Sequence, residues 1–271
     1  MTTSSVLRRD AIPPRPLPAE LSLLAPVVVH DLIRVGSPRD GGYVIPASVY
    51  NAADALASFG VSIEWSFETA FRGRHPQAPI HAYDHTVGAV AFAREIYRSI
   101  RHRLAGRPYK PSIRARIAIL LRYLGFFRGN TQHFQERIAG AAAPGAATIA
   151  TVFDRLPGQS VFVKCDIEGS EYEVIPAIMA RHARLCGLAI EFHDTDTRRA
   201  EFLEAIAQIT TEFAIVHVHA NNYGGLAPDG LPAVLEISFA RVPVVTARRE
   251  VLPIPTLDAP NWDEAADYPL V

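Results

Sequence analysis

The feature that most constrains the fold of this chain is an alternation of short apolar segments with segments of helical spacing. The apolar segments that we predict as strands are NAADALASFG, PIHAYDHT, SVFVKCDIEG, CGLAIEFHD, AIVHVHANN and VLEISFARV. Amphipathic segments with a helical period lie between them, for example IEWSFETAFRGR and TRRAEFLEAIAQITTEF. Strands that alternate with helices favour a mostly parallel, doubly wound sheet. We therefore predict an α/β fold with SVFVKCDIEG as its central strand and the last two strands as an antiparallel edge hairpin.

The length and composition of the chain suit one large domain, since 271 residues with 49% hydrophobic content can build a full core. We predict that this domain spans residues 26–242. A proline-rich arm over residues 1–25 precedes it, and a proline-rich tail over residues 243–271 follows it. An arginine-rich helical insertion or lid is predicted over about residues 88–140, from the amphipathic patterns in AFAREIYRSIRHRL and IRARIAILLRYLGFF.

Charge and cysteine content exclude several classes of function. The chain has 27 lysine and arginine residues against 28 aspartate and glutamate residues, so its composition gives no case for binding to nucleic acid or to an anionic surface. Positive charge does gather locally, from Arg94 to Arg128. Two cysteines are too few for a disulfide scaffold or a cysteine zinc site. No apolar run reaches about 18 residues, the length of a membrane span, and the first residues lack the apolar core of a signal peptide. We therefore expect a cytoplasmic protein without a membrane span.

Polar residues follow the predicted strands at their carboxyl ends, in SFGVSIE, YDHT, KCDIEGSE, EFHD and HVHANN. In an open α/β sheet these ends meet at one edge, where ligands bind. Gly60 ends the first of these strands, and Asp84 ends the next, as in sites where an acidic residue holds a ribose. The run SFGVSIEW lacks the further glycines of a dinucleotide site, which disfavours a cofactor with a pyrophosphate. The pattern therefore predicts one crevice that could bind a nucleoside without phosphates.

The most specific motif follows the central strand and consists of Lys164, Asp166, Glu168, Gly169 and Glu171. With this motif the chain resembles the FkbM-type S-adenosylmethionine-dependent methyltransferases. The resemblance extends to DGGYVIP, SFGVSIEWSFE, YDHT, EFHD and HVHANN, and it touches most of residues 40–241. It implies a Rossmann-like sheet that binds S-adenosylmethionine and transfers a methyl group to a hydroxyl of a sugar, a glycan or a similar polyhydroxylated metabolite.

The resemblance also implies roles for single residues in cofactor binding. Phe59 and Gly60 would form the turn beneath the methionine part of the cofactor. Asp84 would hold the ribose, and Asp166 would lie beside the methyl-transfer centre.

The first motif departs from the commoner pattern of the family, which has an Asp-x-Gly-x-x-x-Gly run at this turn. Ser58 stands where the acidic residue of that run would be. Glu64 and Glu68 are the residues that would partly replace it in cofactor binding.

Methyl transfer to a sugar hydroxyl requires a base, because such a hydroxyl is only weakly acidic. His193 follows one predicted strand and His219 lies near the end of another, so either could take the proton. Asp166 is predicted to act as a base itself or to orient the acceptor.

Several other side chains are candidates for the acceptor site. Asn221 and Asn222 could bind sugar hydroxyls through their amides, and Tyr43 is a third candidate for substrate binding. Glu168 is a further catalytic candidate. Glu168 and Glu171 could instead cap the helix that follows them, because carboxylates are favoured at helix N-termini.

A divalent metal is an alternative that we do not favour. His217 and His219 alternate on one predicted strand and should face the same side. Together with Asp166, Glu191 or His193 they would suffice to ligate an ion, since imidazole and carboxylate suit several metals.

The arginine-rich insertion allows several interpretations. Its cationic side chains could meet a phosphate of a nucleotide-linked sugar or of an anionic glycan. A solvated helical face is the simpler interpretation. The apolar segment IAILLRYLGFF could cover the cleft or join two subunits of a homo-oligomer.

Two other functions are alternatives to methyl transfer. One is a metal-dependent glycosyltransferase, because Asp194-x-Asp196 follows an apolar strand, where such enzymes hold a metal and a sugar nucleotide. The other is a methyltransferase-like module that only binds its ligand, because the first glycine motif is incomplete.

Overall fold

The computed structural model describes residues 19–106, 111–241, 247–248 and 252–270, within which eleven strands and seven α-helices form. The strands are β1 (Leu32–Val35), β2 (Tyr43–Pro46), β3 (Ala55–Phe59), β4 (Ile80–Tyr83), β5 (Thr131–Phe134), β6 (Arg137–Ile138), β7 (Ala146–Ala147), β8 (Val161–Cys165), β9 (Leu185–Phe192), β10 (Ala214–Ala220) and β11 (Leu235–Ala240). The α-helices are α1 (Ala47–Ala52), α2 (Ser66–Arg74), α3 (Ala89–Leu104), α4 (Ile113–Phe126), α5 (Ile149–Arg155), α6 (Glu171–Met179) and α7 (Arg199–Ile209). Short 3-10 helices span Ala19–Leu24 and His182–Arg184.

A seven-stranded sheet forms the centre of the fold, with the strand order β10-β11-β9-β8-β3-β4-β5. β11 is antiparallel to both of its neighbours, and the other strand pairs are parallel. β8 lies in the middle of the sheet, and its five residues are all buried, as expected for a central parallel strand covered on both faces. The predicted Rossmann-like, mostly parallel α/β fold with an antiparallel edge hairpin is therefore confirmed.

Helices cover both faces of this sheet. The core under α5, α6 and α7 includes Val152 and Ile206, and the core under α1, α2 and the small β1–β2 sheet includes Phe67. Along β3, Ala57 belongs to the first core and Leu56 to the second. Because successive side chains of a strand point to opposite faces, the two cores lie on opposite sides of the sheet.

The arginine-rich insertion is a hairpin of α3 and α4, which connects β4 to β5. Ser112 caps α4 by accepting a hydrogen bond from the Ala115 amide at 3.3 Å. The predicted range of about residues 88–140 was too long for a helical insertion, because Thr131–Phe134 pairs with β4 as an edge strand of the main sheet. Its mostly polar sequence, TQHF, carried no strand pattern. Among the described helices, none is long and apolar enough to cross a lipid bilayer.

The terminal segments pack into the folded body where the structure describes them. Leu21 and Leu24, at the end of the predicted arm, are fully buried, whereas residues 1–18 lie outside the described residues. In the C-terminal segment, the buried side chain of Asp258 and the buried residue Asn261 bond to side chains of β10 and β11. The predicted tail over residues 243–271 is therefore, in its described parts, a cover for one end of the sheet.

Candidate functional site

Three strand ends meet around a sharp turn at Gly60. The turn follows β3, and Gly60 has a left-handed backbone with a φ of 73°. A Cβ atom at this position would overlap the carbonyl oxygen of Asp166, so only glycine fits. Gly60 donates its amide proton to the carbonyl of Tyr83 at 3.0 Å, and the Asp166 amide donates to the carbonyl of Phe59 at 3.0 Å. The carboxyl ends of β3, β4 and β8 are thus held together.

Asp84 organises the loop beside this turn. Its Oδ2 atom accepts hydrogen bonds from the amides of Val61 (3.1 Å) and Ser62 (2.7 Å), and its Oδ1 atom accepts from the amide (2.7 Å) and hydroxyl (2.6 Å) of Thr86. Burial alone would raise the pKa of Asp84, but hydrogen bonds from Thr86 and Ser62 hold it below its usual value. The lone pairs of this carboxylate are engaged within the protein. Asp84 therefore fixes the loop, and a ribose would have to compete with Thr86 for its oxygens.

The Gly60 cavity, as we name the space beside this turn, has a volume of about 230 Å³. Its lining comes from the loops after β3, β4 and β8 and from β6. Gly60, Asp84, Asp166 and Glu168 all line it. The structure therefore brings two predicted cofactor residues and two predicted catalytic residues to one cavity.

A second space, which we name the Glu191 cavity, has a volume of about 420 Å³. Asp166 and Glu168 line both cavities and so form the wall that the two spaces share. The other polar side chains around the Glu191 cavity are Asp40, Glu191, His193, Asn221 and Tyr223. Four carboxylates thus surround a space within the usual size range of small-molecule sites, about 300–1,000 Å³.

Lys164 and Asp166 carry opposite charges at the shared wall. The buried ammonium group of Lys164 donates to the carbonyl of Gly60 at 2.9 Å and lies 4.0 Å from Oδ2 of Asp166. Burial disfavours its charge, but the nearby carboxylates, with Glu68 foremost, raise the pKa of Lys164 above its usual value. Burial raises the pKa of Asp166 to about 6, although the neighbouring cations lower it. Lys164 therefore stays charged, while Asp166 changes its protonation in mildly acidic solution.

Glu191 is held at the end of β9 by two hydrogen bonds. The hydroxyl of Tyr43 donates to Oε2 at 3.4 Å, and the amide of Asn221 donates to Oε1 at 2.9 Å. Burial, followed by the charge of Asp166, raises the pKa of Glu191 well above its ordinary value. Tyr43 is buried and supports Glu191 from behind, which corrects the prediction that Tyr43 binds the substrate directly. Asn221 does line the cavity.

His193 follows β9, and its ring faces the Glu191 cavity. Its Nδ1 atom lies 3.1 Å from Oε1 of Glu171, and since a carboxylate only accepts, this nitrogen carries the proton. Its Nε2 atom lies near the carboxylates of the cavity, at 3.5 Å from Glu168, 3.8 Å from Glu191 and 4.0 Å from Asp166. Burial opposes a charged ring, but Glu171 and the other carboxylates raise the pKa of His193.

Glu171 braces the acidic turn as well as the histidine. It is the first residue of α6 and is fully buried, and its Oε1 atom also accepts from the amides of Ile167 (2.9 Å) and Gly169 (3.2 Å). These bonds satisfy amides of the turn that precedes the helix, which is close to the predicted capping role. Within this turn, Glu168 has a left-handed φ of 55° and a side chain that is 87% exposed.

Two exposed aromatic rings stand beside the Glu191 cavity. Tyr223, which lines the cavity, is 61% exposed, and Trp262 is 40% exposed. The rings stack with centroids 6.0 Å apart and an angle of 18° between their planes. The amide of Trp262 donates to the side-chain oxygen of Asn222 at 2.8 Å, which anchors the C-terminal segment here. The pair presents a flat apolar surface next to the carboxylates.

The structure does not support His219 or Asn222 as acceptor-site residues. His219 is buried, and its ring lies 3.1 Å from Asp267 and 3.2 Å from Glu236. Burial opposes the charge, but hydrogen bonds with Asp267 and Glu236 raise the pKa of His219 to about 10. Both ring nitrogens are engaged by these carboxylates. Asn222 is buried and directs its amide to the carbonyl of Trp262 at 2.9 Å. Both predictions are wrong because the C-terminal segment covers this face of β10.

Glu64 and Glu68, which the sequence suggested as cofactor residues, stand outside the lining of the Gly60 cavity. Glu64 is exposed and accepts a hydrogen bond from an amide at the start of α2. Glu68 is fully buried, accepts a hydrogen bond from the hydroxyl of Ser58 and acts electrostatically on Lys164. The side chain of Phe59 is fully buried, so this residue contributes only its backbone to the turn.

Two groups in the described part of the chain could hold a metal ion, since their ligand atoms lie within 4.8 Å of one another. They are Asp166 with Glu191 and His193, and Asp40 with Glu191 and Glu236. The predicted set built on His217 and His219 is wrong, because these rings bond to Asp258 and Asp267 of the C-terminal segment. Asp194 and Asp196 belong to neither group.

Sequence reasoning missed Asp40, Tyr223 and Trp262, and it considered Glu191 only as a metal ligand. The position of Glu191 carried a usable signal, because it lies two residues before His193 and so shares its side of the chain. Asp40 and Trp262 carried no such signal, since they come from loops near opposite ends of the chain.

No family model and no curated protein matches the chain. Among solved structures, it is similar to the fibrillarin/Nop5p complex, with a TM-score of 0.38 and 9% identity over 70% of this chain and 74% of that one. It is also similar to precorrin-6y C5,15-methyltransferase from Geobacter metallireducens GS-15, with a TM-score of 0.34 and 15% identity over 72% and 86% of the two chains. A third is M. jannaschii TYW2 in complex with AdoMet, with a TM-score of 0.31 and 11% identity over 72% and 74%.

Proposed function

We propose that the protein is an S-adenosylmethionine-dependent O-methyltransferase that acts on a hydroxyl of a sugar, a glycan or a similar polyhydroxylated metabolite. The observation that carries this proposal is that the Gly60 cavity and the Glu191 cavity share Asp166 and Glu168 as a wall. A donor in the first space and an acceptor in the second would meet at this wall, as a direct group transfer requires.

The position of the Gly60 cavity suits a nucleoside-bearing donor. It lies beyond the carboxyl ends of parallel strands, where open α/β sheets bind their ligands. Its walls are fixed by the turn at Gly60 and by the loop that is bonded to Asp84. S-adenosylmethionine would supply an activated methyl group here. Asp84 would fix the loop beside its ribose, and Asp166 would lie at its methyl-bearing end. S-adenosylmethionine has no phosphate groups, so its binding does not require a glycine-rich phosphate loop after β3.

His193 is the base in this proposal. Glu171 holds the Nδ1 side of the ring and leaves Nε2 directed to the Glu191 cavity, as a base with an orienting carboxylate requires. When bound, S-adenosylmethionine would supply the methyl carbon, and its carbon–sulfur bond would break as the bond to the acceptor oxygen forms, which leaves S-adenosylhomocysteine. Nε2 of His193 would accept the proton of that hydroxyl. Asp166 orients the hydroxyl and stabilises the imidazolium that forms. Because the pKa of His193 is raised, the free base forms at a higher pH than it would for an ordinary histidine.

The surroundings of the Glu191 cavity support a polyhydroxylated acceptor. The carboxylates of Asp40 and Glu168 can each accept hydrogen bonds from hydroxyl groups. The stacked rings of Tyr223 and Trp262 offer a flat apolar surface for the C–H face of a sugar ring. Polar groups at one side and aromatic rings at the other would fix the orientation of such an acceptor.

Isothermal titration calorimetry, followed by a transfer assay, tests the proposal. The purified protein should bind S-adenosylmethionine and S-adenosylhomocysteine and should transfer a labelled methyl group to at least one member of a panel of sugars and glycans. Binding of a sugar nucleotide alone would identify a glycosyltransferase instead. Binding of the methyl donor without transfer to any hydroxyl compound would favour a binding module.

The same assay with EDTA decides whether a metal takes part. We expect full turnover in its presence, since Lys164 already compensates the charge of Asp166. Loss of turnover that magnesium restores would assign an ion to the group of Asp166, Glu191 and His193. The glycosyltransferase alternative receives no support from Asp194, which is exposed and lies outside both metal-capable groups.

A further inference from the structure

The α3–α4 hairpin concentrates positive charge. Its two helices contain seven arginines and a single acidic residue, Glu95, whereas the whole chain has a formal net charge of −1. The arginines are Arg94, Arg98, Arg101, Arg103, Arg114, Arg116 and Arg122. All of these except the half-buried Arg116 are exposed. A charge excess of this kind on one element indicates an anionic partner.

α3 also exposes a row of apolar side chains. Val90, Tyr97 and Leu104 are 60%, 61% and 83% exposed, and their spacing of seven residues places them on one side of the helix. Arg94 follows Val90 by four positions, and Arg101 follows Tyr97 by four positions. Residues four positions apart are neighbours on a helix surface, so basic and apolar side chains lie side by side.

α4 has an exposed apolar row of its own. Ile117, Leu121 and Leu124 are 41%, 63% and 52% exposed, with the four- and three-residue spacing of one helix side. The opposite sides of the two helices pack on the body of the protein through the buried rings of Phe92 and Phe126. The exposed rows are therefore not needed to hold the hairpin in place.

We propose that this hairpin docks the protein on the surface of an anionic lipid bilayer. The arginines would contact lipid phosphates, and the apolar rows would enter the boundary between headgroups and acyl chains, as amphipathic helices do. The contact is peripheral, because none of the described helices can span a bilayer. This inference is independent of the proposed methyl transfer.

Other partners fit the hairpin less well. If the hairpin packed against the hairpin of a second copy of the chain, the arginines of the two copies would face each other, and like charges repel. A nucleic-acid backbone would neutralise the arginines. It would leave Leu104 and Leu121 next to phosphates and sugars, which offer no apolar surface to bury them. A lipid surface accommodates both features at once.

The hairpin lies next to the Gly60 cavity in the chain. α3 begins directly after the loop that carries His85 and Thr86, which line the Gly60 cavity. Docking through this hairpin would hold that cavity close to the lipid headgroups.

Co-sedimentation with vesicles tests the proposal. The full-length protein should bind vesicles of phosphatidylcholine that contain about 30 mol % phosphatidylglycerol, should ignore vesicles of phosphatidylcholine alone, and should bind less as salt is added. The triple variant Arg94→Glu, Arg101→Glu, Arg114→Glu should lower partitioning by about 100-fold. The double variant Leu104→Ser, Leu121→Ser should lower it by about tenfold.

The matched control reverses three exposed arginines outside the hairpin, in the variant Arg39→Glu, Arg74→Glu, Arg248→Glu. This variant should bind anionic vesicles as well as the parent does, and circular dichroism should show that each variant is folded. No binding of the parent to anionic vesicles would overturn the proposal, as would equal loss in the control. Self-association that the leucine variant abolishes, without vesicle binding, would assign the surface to a second copy instead.

Discussion

The Gly60 cavity and the Glu191 cavity differ in what holds them in shape. The first is fixed largely by backbone groups of neighbouring loops, since the carboxylate of Asp84 accepts hydrogen bonds from three backbone amides and one hydroxyl of these loops. The second is built from side chains that come from distant parts of the chain, such as Asp40, Glu191 and the Trp262 that stacks at its edge. A backbone frame tolerates little change, whereas a side-chain frame can be altered residue by residue.

This difference suggests a division of labour. The fixed frame suits the part of a reaction that stays constant, which is the donor, and the side-chain frame suits the part that sets specificity, which is the acceptor. Substitutions on the two sides should therefore separate donor affinity from turnover and acceptor affinity. Single substitutions in each cavity test this separation.

The largest expected effect is a loss of turnover when a residue of the Glu191 cavity is substituted. His193→Ala removes the base, and kcat should fall by about 10²–10⁴-fold while the Kd for S-adenosylmethionine stays unchanged. His182→Ala is a matched control, because its Nδ1 atom also lies 3.1 Å from a carboxylate, that of Glu212, at the protein surface. Equal losses in donor affinity and turnover for His193→Ala would contradict the assignment of the donor and the acceptor to separate cavities.

The next largest expected effect is a loss of donor affinity when a residue of the Gly60 cavity is substituted. Asp84→Asn cannot accept all the hydrogen bonds that fix the loop, and the Kd for S-adenosylmethionine should rise by about 10–100-fold. Asp54→Asn is the control, since Asp54 accepts from the amides of Gln159 (2.9 Å) and Ser160 (3.0 Å), which lie outside both cavities. Calorimetry measures both. An unchanged affinity in Asp84→Asn would remove this loop from the donor site.

A smaller effect should follow from removing the proposed sugar platform. Tyr223→Ala should raise KM for the acceptor by about 2–10-fold and leave the Kd of the donor unchanged, because an aromatic stack contributes modestly. Tyr97→Ala serves as the control for a soluble acceptor, since this tyrosine has the same exposure of 61%. A rise in the donor Kd for Tyr223→Ala would contradict this assignment, because it would show that the ring contributes to the donor site.

The smallest effect is a shift in the pH profile, and it tests Glu171 as a positioning residue. His193 must lose its proton to act, so its raised pKa places the acidic limb of kcat/KM above pH 6.5. Glu171→Gln removes the charge that raises this pKa, and the limb should move down by about one pH unit. Glu168→Gln, on a side chain that is 87% exposed, should move it less. A lower rate without a shift would show that Glu171 only supports the fold.

The sequence predicted the fold well where burial dictates the residue type. The strands at the centre of the sheet are continuous apolar runs, because both of their faces are covered. The prediction failed for β5, whose polar sequence reflects its place at the sheet edge. The Gly60 turn was also predictable, since a glycine at the end of an apolar run indicates a sharp turn. The reason that only glycine fits is the carbonyl of Asp166, which is distant in sequence.

The acceptor side of the site was harder to predict. His193 and His219 look alike in sequence, as histidines near the ends of predicted strands. What separates them is the C-terminal segment, which supplies Asp267 and closes over His219. Contacts of this kind join residues that no local pattern connects, so they follow from the tertiary structure alone.

The most direct test of the central claim is a crystal structure with S-adenosylhomocysteine bound. The account predicts density for the adenosine in the Gly60 cavity beside Asp84, and the sulfur atom at the wall formed by Asp166 and Glu168. Density for the ligand anywhere else, or a sulfur atom directed away from the Glu191 cavity, would contradict it.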